Sequence, residues 1–537
     1  MSATTQPQSG LLDVSIQELE TLLERARQEP LDEEAYRKLL AAVHTLARVS
    51  ELLRQDRATL ESLRRLLLHK STEKTEAVLK QAGIEPSAKQ RKPALQEEGG
   101  KRAVLGHGRN GAQAYRGAEK VVVPHPDLKA GGLCPYCQMG KVYVQQEPKT
   151  LVRVVGQAPL TAAVYECARL RCNSCGELFS APGPEEAGTE KYAESAAAMI
   201  AVLKYGSGFP FYRLAQLEQS LGIPLPPATQ WEIVAGRAEV IRPAFDELVR
   251  QAAQSEVFHN DDTSMRVLRL VREPEDQRTG IFTSGIVAVF PDRRIAIYCT
   301  GRQHAGENFA DVLKHRAAGL PAPVQMCDAL ARNVPKLGRG VELLIALCLA
   351  HGRRQFVEVA ANFPSECQYV LEMLGQVYGF DAETRERGLA PAQRLAFHQQ
   401  HSGPVMEQLH VWLTAQLTEK KTEPNSGLGK AIVYLLKHWR GLTAFLRDGR
   451  APLDNNLVER ALKRAILHRK NSLFYKTLKG AQVGDLFMSL IHTCELCGAN
   501  AFHYLTELQK HALELAGNPA QWLPWNYRER LAQTGSR

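Results

Sequence analysis

Between Ser255 and Asp328 the chain changes character, and this stretch limits the possible fold more than any other. Four short runs, "VFHNDDTSMRVLRLV", "TSGIVAVF", "RRIAIYCT" and "APVQMCD", have strand-like composition and are bounded by turn residues. The first three succeed one another as antiparallel strands would. The fourth comes after "GENFADVLKHR", which reads as a helical crossover. An α/β core follows from this order, and its first and fourth strands can be neighbours. Asp261 falls inside the first run and Asp328 at the end of the fourth. Strand interiors disfavour Asp unless a partner compensates it, so both positions ask for a reason. Asp262 is a rival to Asp261, and Asp328 also reads simply as the cap of a following helix.

A third acid stands out by its surroundings. In "APLDNNLVERALKRAILHRKNSLF" (451–474), Glu459 precedes a stretch from Arg460 to Lys479 that holds seven Lys/Arg and no Asp or Glu. Helical spacing puts Val458, Ala461, Leu462, Ala465 and Ile466 on one apolar stripe, with Glu459, Arg460, Lys463 and Arg464 opposite. A capping box between Asn456 and Glu459, or an i,i+4 pair with Lys463, accounts for the acid locally. A cluster with Asp261 and Asp328 accounts for it chemically. Three clustered carboxylates repel one another, and divalent cations relieve that repulsion while activating a nucleophile at a phosphodiester.

The other segments narrow the class. The chain has 537 residues, 44% apolar and 23% charged, so it is a multidomain globular protein. Its formal charge of +9 leans towards a polyanionic partner. The N-terminus lacks the pattern of a signal peptide, and no apolar run is long enough to span a membrane. Of the 11 cysteines, six form three C-x-x-C pairs. That usage suits reduced, metal-binding thiols of a cytoplasmic protein better than a disulfide framework. Cys134 and Cys137 form one pair and Cys172 and Cys175 another, separated by a strand-like stretch. Together they read as a zinc ribbon holding a structural Zn²⁺, with Cys167 as a spare ligand. Cys494 and Cys497, on an apolar helical segment, read as buried thiols.

The expected layout is multidomain α+β. Residues 1–82 are a helical region in which Leu39, Leu46, Leu53, Leu60 and Leu67 recur at every seventh position, an imperfect oligomerising coil or a helical hairpin broken at Pro30. Residues 83–125 form a basic linker, 126–185 the zinc module, and 186–254 a helical region. There "GIPLPPAT" before the helix carrying Trp231, with Thr229 as its N-cap, resembles helix-turn-helix punctuation. If exposed, Lys204, Tyr205, Arg213 and Gln230 would contact DNA. The α/β core takes up 255–354 and 441–500, with a helical tail at 501–537.

Several strings together resemble one family, the DDE transposases of the insertion-sequence sixty-six type. They are "GHGRNGAQAY" with the double C-x-x-C module, "NDDTSMRVL", "MCDALARN", "CLAHGRRQFVE" and "DNNLVERALKRAILHRKNSLF", in the order that family shows. The resemblance implies an RNase H-like core in which Asp261, Asp328 and Glu459 hold two Mg²⁺ (or Mn²⁺) ions. The long interval from Asp328 to Glu459 implies a helical insertion at 355–440. It further implies cleavage at the ends of an insertion sequence and attack of the freed 3′-OH on target DNA. The implied partners are double-stranded DNA (terminal inverted repeats and target), a second copy of the chain in a homo-oligomer, and small accessory proteins, near the bacterial nucleoid. Lys204, Arg213, Arg353, Arg354, Arg460, Lys463, Arg464, Arg469 and Lys470 are the expected DNA contacts. Two other functions fit parts of the pattern: a zinc-containing DNA-binding regulator with an inactive nuclease core, and an RNase H-like nuclease without strand transfer.

Overall fold

The computed structural model describes residues 120–534, apart from 146–148, 176, 189, 271–277 and 339–341, together with a few isolated earlier positions. The heptad region and nearly all of the basic linker lie outside the described residues. Two short strands, β1 (Arg169–Arg171) and β2 (Leu178–Ser180), form an antiparallel hairpin. Three helices come next, α1 (Glu194–Ala201), α2 (Phe211–Ser220) and α3 (Pro227–Ala252). The central elements are β3 (Val257–Ser264), β4 (Phe282–Val289), β5 (Arg294–Gly301), α4 (Ala305–Leu313), β6 (Val324–Cys327) and β7 (Leu344–Leu347). Four helices follow, α5 (Leu349–Val359), α6 (Pro364–Glu386), α7 (Pro391–Thr418) and α8 (Gly427–Leu442). The chain continues through α9 (Asn456–Ser472), α10 (Leu478–Leu496), α11 (Ala501–Lys510), α12 (Ala512–Gly517) and α13 (Tyr527–Thr534).

The sheet has the order β5-β4-β3-β6-β7. The pairs β3–β4 and β4–β5 are antiparallel, whereas β3–β6 and β6–β7 are parallel. The first and fourth runs of the sequence are thus neighbours, and the crossover between β5 and β6 is the helix α4. Strand β7 comes from "LLIALC", which reads in sequence only as a buried element. It is the edge strand of the sheet, and only Ala346 is fully buried, whereas Ile345 is exposed.

Helices α9 and α10 cover one face of the sheet and α4 the other. On α9, Val458, Ala461, Leu462 and Ala465 are buried as the helical spacing requires, and His468 joins them. Burying a side chain such as Val458 or Leu462 contributes about 1.5–3 kcal/mol. The helix lies very close to the sheet at Gly285, where an added Cβ would come within 3.0 Å of Leu462 and 3.2 Å of Val458. Gly285 pairs directly with Asp261 across β3 and β4. The missing side chain therefore lets the Glu459 helix settle beside the strand that carries the first acid.

The region 186–254 is not separate from this core. Val234, Ile241 and Leu248 of α3 belong to the same buried cluster as Phe258, Ile286 and Leu486. Helix α3 begins at Pro227 with Pro226 as its N-cap, so Thr229 lies inside the first turn rather than capping it. Proline fits there because its missing N–H is one that a helix start leaves unpaired anyway. Gln230, expected at a DNA surface, is buried, and its Nε2 donates to the carbonyls of Leu225 (2.8 Å) and Phe211 (3.2 Å). Lys204 is also buried, with Nζ donating to Ser472 Oγ at 2.8 Å and its pKa pushed down to about 8 by desolvation. Tyr205 stacks on Phe487 and His468 in the interior. These three side chains tie helices together. Arg213 is exposed, with Nε donating to Tyr212 Oη.

Candidate active site

The period of two along β3 sorts its acids onto opposite faces. His259 and Asp261 face α9, while Asn260 and Asp262 face the other way. Asp262 is almost fully buried, with Oδ2 2.8 Å from Nδ1 of His304 and Oδ1 3.5 Å from Nη2 of Arg332. Its charge is already engaged on the α4 side. Asp261 instead meets Asp328, which follows β6 on the neighbouring strand.

One side chain joins these two acids. Nδ2 of Asn333 donates to Oδ1 of Asp261 at 3.0 Å and to Oδ1 of Asp328 at 2.5 Å. The Asn333 carbonyl accepts from Asn260 Nδ2 and Gln325 Nε2, which fixes the loop that carries it. Asp261 also receives its neighbour's backbone N–H at 2.8 Å, and Asp328 that of Leu330 at 3.1 Å. Burial first, and then the charge of Asp328, push the Asp261 carboxyl up to about 7. Two carboxylates held this close by a neutral amide leave negative charge uncompensated, which suits a hard divalent cation. Tyr434, on α8, feels the same charge: desolvation and then Asp328 push its phenol up to about 12. The helical segment between β7 and α9 thus brings a wall to the site.

Glu459 approaches from α9. Its Oε1 lies 3.8 Å from Nδ1 of His351, in the first turn of α5. Both atoms are buried, and neither has a hydrogen-bond partner among the described residues. The start of α9 is not capped by Asn456. That residue is already helical, the N-cap is Asn455, and no side-chain cap bond forms. The Asn455 carboxamide is used elsewhere: Oδ1 lies 3.1 Å from His259 Nδ1, and Nδ2 donates to the Asn260 carbonyl at 3.1 Å. Desolvation keeps His259 neutral, with its pKa pushed down to about 4. The Asn455 N–H donates to Cys348 Sγ at 3.2 Å, and the Cys348 N–H donates to the Cys327 carbonyl at 2.9 Å. A continuous set of bonds therefore runs from β3 through Asn455 and Cys348 to the residue before Asp328.

The expected basic contacts divide by exposure. Arg460, Lys463 and Lys470 are exposed on α9. Arg464 is half-buried, pairs with Glu495 and donates to the Gly206 carbonyl; Arg469 is half-buried and donates to Thr263 and Ser264. Arg354 is half-buried and Arg353 buried. In the cysteine module each knuckle forms a tight turn, with Cys134 N–H donating to the Gly140 carbonyl and Gly140 N–H to Cys137 Sγ. The Cys172 N–H donates to the Glu177 carbonyl. The four sulfurs do not gather as a ligand set: among the described residues, three or more donor atoms lie within 4.8 Å of one another only at Cys348, His351 and Glu459. Cys167 is exposed, Cys494 is buried and Cys497 is partly covered.

Asn333, Asn455, His351 and Cys348 carry no expectation from sequence beyond standing in the strings "MCDALARN", "DNNLVER" and "CLAHGRRQFVE". Asn333 and Asn455 stand four or five residues from an acid and Cys348 directly follows β7, which is the signal that marks them; His351 carries only its C-x-x-H spacing from Cys348.

The raised carboxyl of Asp261 makes a prediction. It goes from 3.8 to about 7, so between these values the folded chain keeps a proton that the unfolded chain releases. Stability of the metal-free protein falls as pH rises through that window. A divalent cation held at Asp261 would displace that proton, so Mg²⁺ is expected to raise the Tm more at about pH 8 than at about pH 6, with affinity falling about tenfold per pH unit below about 7. Asp485 is also pushed up to about 7 by burial, but Thr300 N and Oγ1 satisfy it, so it adds to the pH slope without Mg²⁺ dependence. Equal Mg²⁺ shifts at both pH values would contradict a cation at Asp261.

Comparison with known proteins identifies the family. The model of the Transposase IS66 family matches residues 190–483, more than half of the chain and all three acids. Uncharacterized protein y4jD of Sinorhizobium fredii (strain NBRC 101917 / NGR234) is 31% identical over 372 residues, covering 67% of this chain and 71% of that protein. Uncharacterized protein y4hP of the same strain is 26% identical over 443 residues, covering 78% and 76%. With the match spanning the whole sheet and the helix of Glu459, the chain belongs to the Transposase IS66 family.

Proposed function

We propose that this protein cuts the ends of an insertion sequence and joins the freed 3′-OH ends to target DNA, with Asp261, Asp328 and Glu459 as its metal-holding acids. The observation that carries the reading is the shared Asn333 donor between Asp261 and Asp328, on adjacent parallel strands of the sheet on which α9, the helix of Glu459, packs. The strand order β5-β4-β3-β6-β7 supports an RNase H-like core. Bound Mg²⁺ or Mn²⁺ supplies Lewis acidity to the attacking and leaving oxygens of the phosphodiester. Asp261 and Asp328 hold the cation, Asn333 sets the spacing of their carboxylates, and Glu459 completes the acid set. Arg460, Lys463 and Lys470 face outward on the same helix, and they position the phosphate backbone.

The zinc ribbon belongs to this proposal as a structural element. Leu133, Tyr136, Met139 and Phe179 are exposed around its knuckles, at 64%, 97%, 86% and 59%. A module with so little apolar core needs a metal to hold its turns together, and binding one would have to draw the Cys134, Cys137, Cys172 and Cys175 sulfurs, which do not gather here, into one set. We further propose that the protein acts as a homo-oligomer on double-stranded DNA, with small accessory proteins. No helix among the described residues is long and apolar enough to cross a membrane.

The test supplies labelled element-end DNA and a supercoiled target plasmid with Mg²⁺. The expected products are nicked ends and end–plasmid joints. Nicking without joints would leave a nuclease, and specific binding without nicking a regulator.

A further inference from the structure

The unpaired atoms beside Glu459 call for a chemical account. Sγ of Cys348, a ring nitrogen of His351 and a carboxylate oxygen of Glu459 lie within 4.8 Å of one another. The Glu459 Oε1 and His351 Nδ1 atoms are buried, 3.8 Å apart and unbonded. Two buried polar atoms facing each other without a hydrogen bond cost free energy unless something sits between them. A hydrogen bond would need about 3 Å. Tetrahedral zinc, with bonds of about 2.0–2.3 Å, places its ligand atoms about 3.3–3.6 Å apart, so a small side-chain rotation closes this group on an ion.

The surroundings of the sulfur fit the same ion. Cys348 is the N-cap of α5 and His351 stands in its first turn, a C-x-x-H spacing that turns both side chains to one side. The sulfur accepts the Asn455 N–H at 3.2 Å. Such a backbone donor orients the sulfur, as Gly140 N–H does for Cys137 in the ribbon knuckle, while burial pushes the Cys348 thiol up, so a metal would have to displace its proton. Thiolate, imidazole and carboxylate together select a borderline cation of the zinc class, in contrast to the all-oxygen pair Asp261 and Asp328.

We infer that Cys348, His351 and Glu459 form a second metal site, for Zn²⁺ or a similar thiolate-binding cation, that shares its carboxylate with the proposed catalytic set. The sharing rests on the function proposed above; the site itself does not. Three protein ligands leave a fourth position open. Zinc held here draws Glu459 towards α5 and away from the two aspartates, so it acts as a brake on the Mg²⁺-dependent reaction.

The experiment measures metal uptake by the full chain, using Zn²⁺ for stoichiometry and Co²⁺ for its thiolate charge-transfer absorption. Cys348→Ser and His351→Gln should each bind about one Zn²⁺ fewer per chain than wild type, and Cys348→Ser should lose part of the Co²⁺ band. Cys134→Ser with Cys172→Ser should remove the ribbon metal and leave this one. His351→Gln is the safeguard for folding, because the ring is partly exposed and Cys348 stays in place. Undiminished uptake in His351→Gln, or in a folded Cys348→Ser, overturns the inference. Glu459→Gln separates the two readings. Loss of both cleavage and one Zn²⁺ supports both; loss of cleavage with full Zn²⁺ uptake overturns the shared site alone; loss of Zn²⁺ with cleavage retained supports the site and overturns the catalytic role.

Discussion

Asp261→Asn, Asp328→Asn and Glu459→Gln should each lower Mg²⁺-dependent cleavage of element ends by about 10³-fold or more, because under the proposed function each removes an anionic metal ligand that no neighbour replaces. The three should part company in stability. Asp261 carries a buried charge whose ionisation is resisted by desolvation and by Asp328. Its amide counterpart keeps an acceptor for Asn333 Nδ2 and for the Asp262 N–H, and discards the repulsion. Metal-free Asp261→Asn should therefore melt at a higher temperature than wild type at about pH 8, while being inactive. That combination of gained stability and lost activity is the signature of a residue kept for chemistry. Glu459→Gln should change the Tm little, since Oε1 makes no hydrogen bond to lose. A variant that keeps wild-type cleavage, for any of the three acids, removes that residue from the catalytic set.

Asn455→Ala should be the most damaging single change outside the acids. Its carboxamide holds the start of α9 to β3 through His259 and the Asn260 carbonyl, both buried. Truncation leaves two polar groups without partners, a cost of about 2–4 kcal/mol. The start of the helix that presents Glu459 is then untethered, so cleavage should fall together with the Tm. Asn456→Ala is the control: its side chain makes no hydrogen bond among those described, and the change should stay within about 0.5 kcal/mol. Were the capping box real, the order would reverse, with Asn456→Ala the costlier. Thermal melts of the two variants decide between these, and equal melts would leave Asn455 without the anchoring role.

The contrast between these two asparagines shows where sequence reading ends. Asn-x-x-Glu before an apolar stripe is a sound local signal for a capping box, but a cap needs its side chain free to fold back on its own helix. Asn455 and Asn456 are adjacent and chemically alike. The tertiary contact with β3 takes the first into the interior and moves the helix start by one residue. Lys204 and Gln230 illustrate the same limit. Their types suit a DNA surface, yet the side chains fill hydrogen-bonding gaps between helices, which no period in the sequence reveals.

Strands β3 to β6, the crossover helix between β5 and β6, and the apolar stripe of α9 are all legible from the residues, because periods of two and 3.6 are local consequences of backbone geometry. The sequence also marks Asp261, Asp328 and Glu459, since an acid in a strand end or at the head of a basic helix is improbable without a partner. The choice between Asp261 and Asp262 as the partner of Asp328, the Asn333 bridge, and the place of Glu459 against His351 and Cys348 emerge from the folded chain alone. Those facts depend on strand register and on the close approach of α9 at Gly285. They join residues far apart in the chain, and packing, not local propensity, sets their distances.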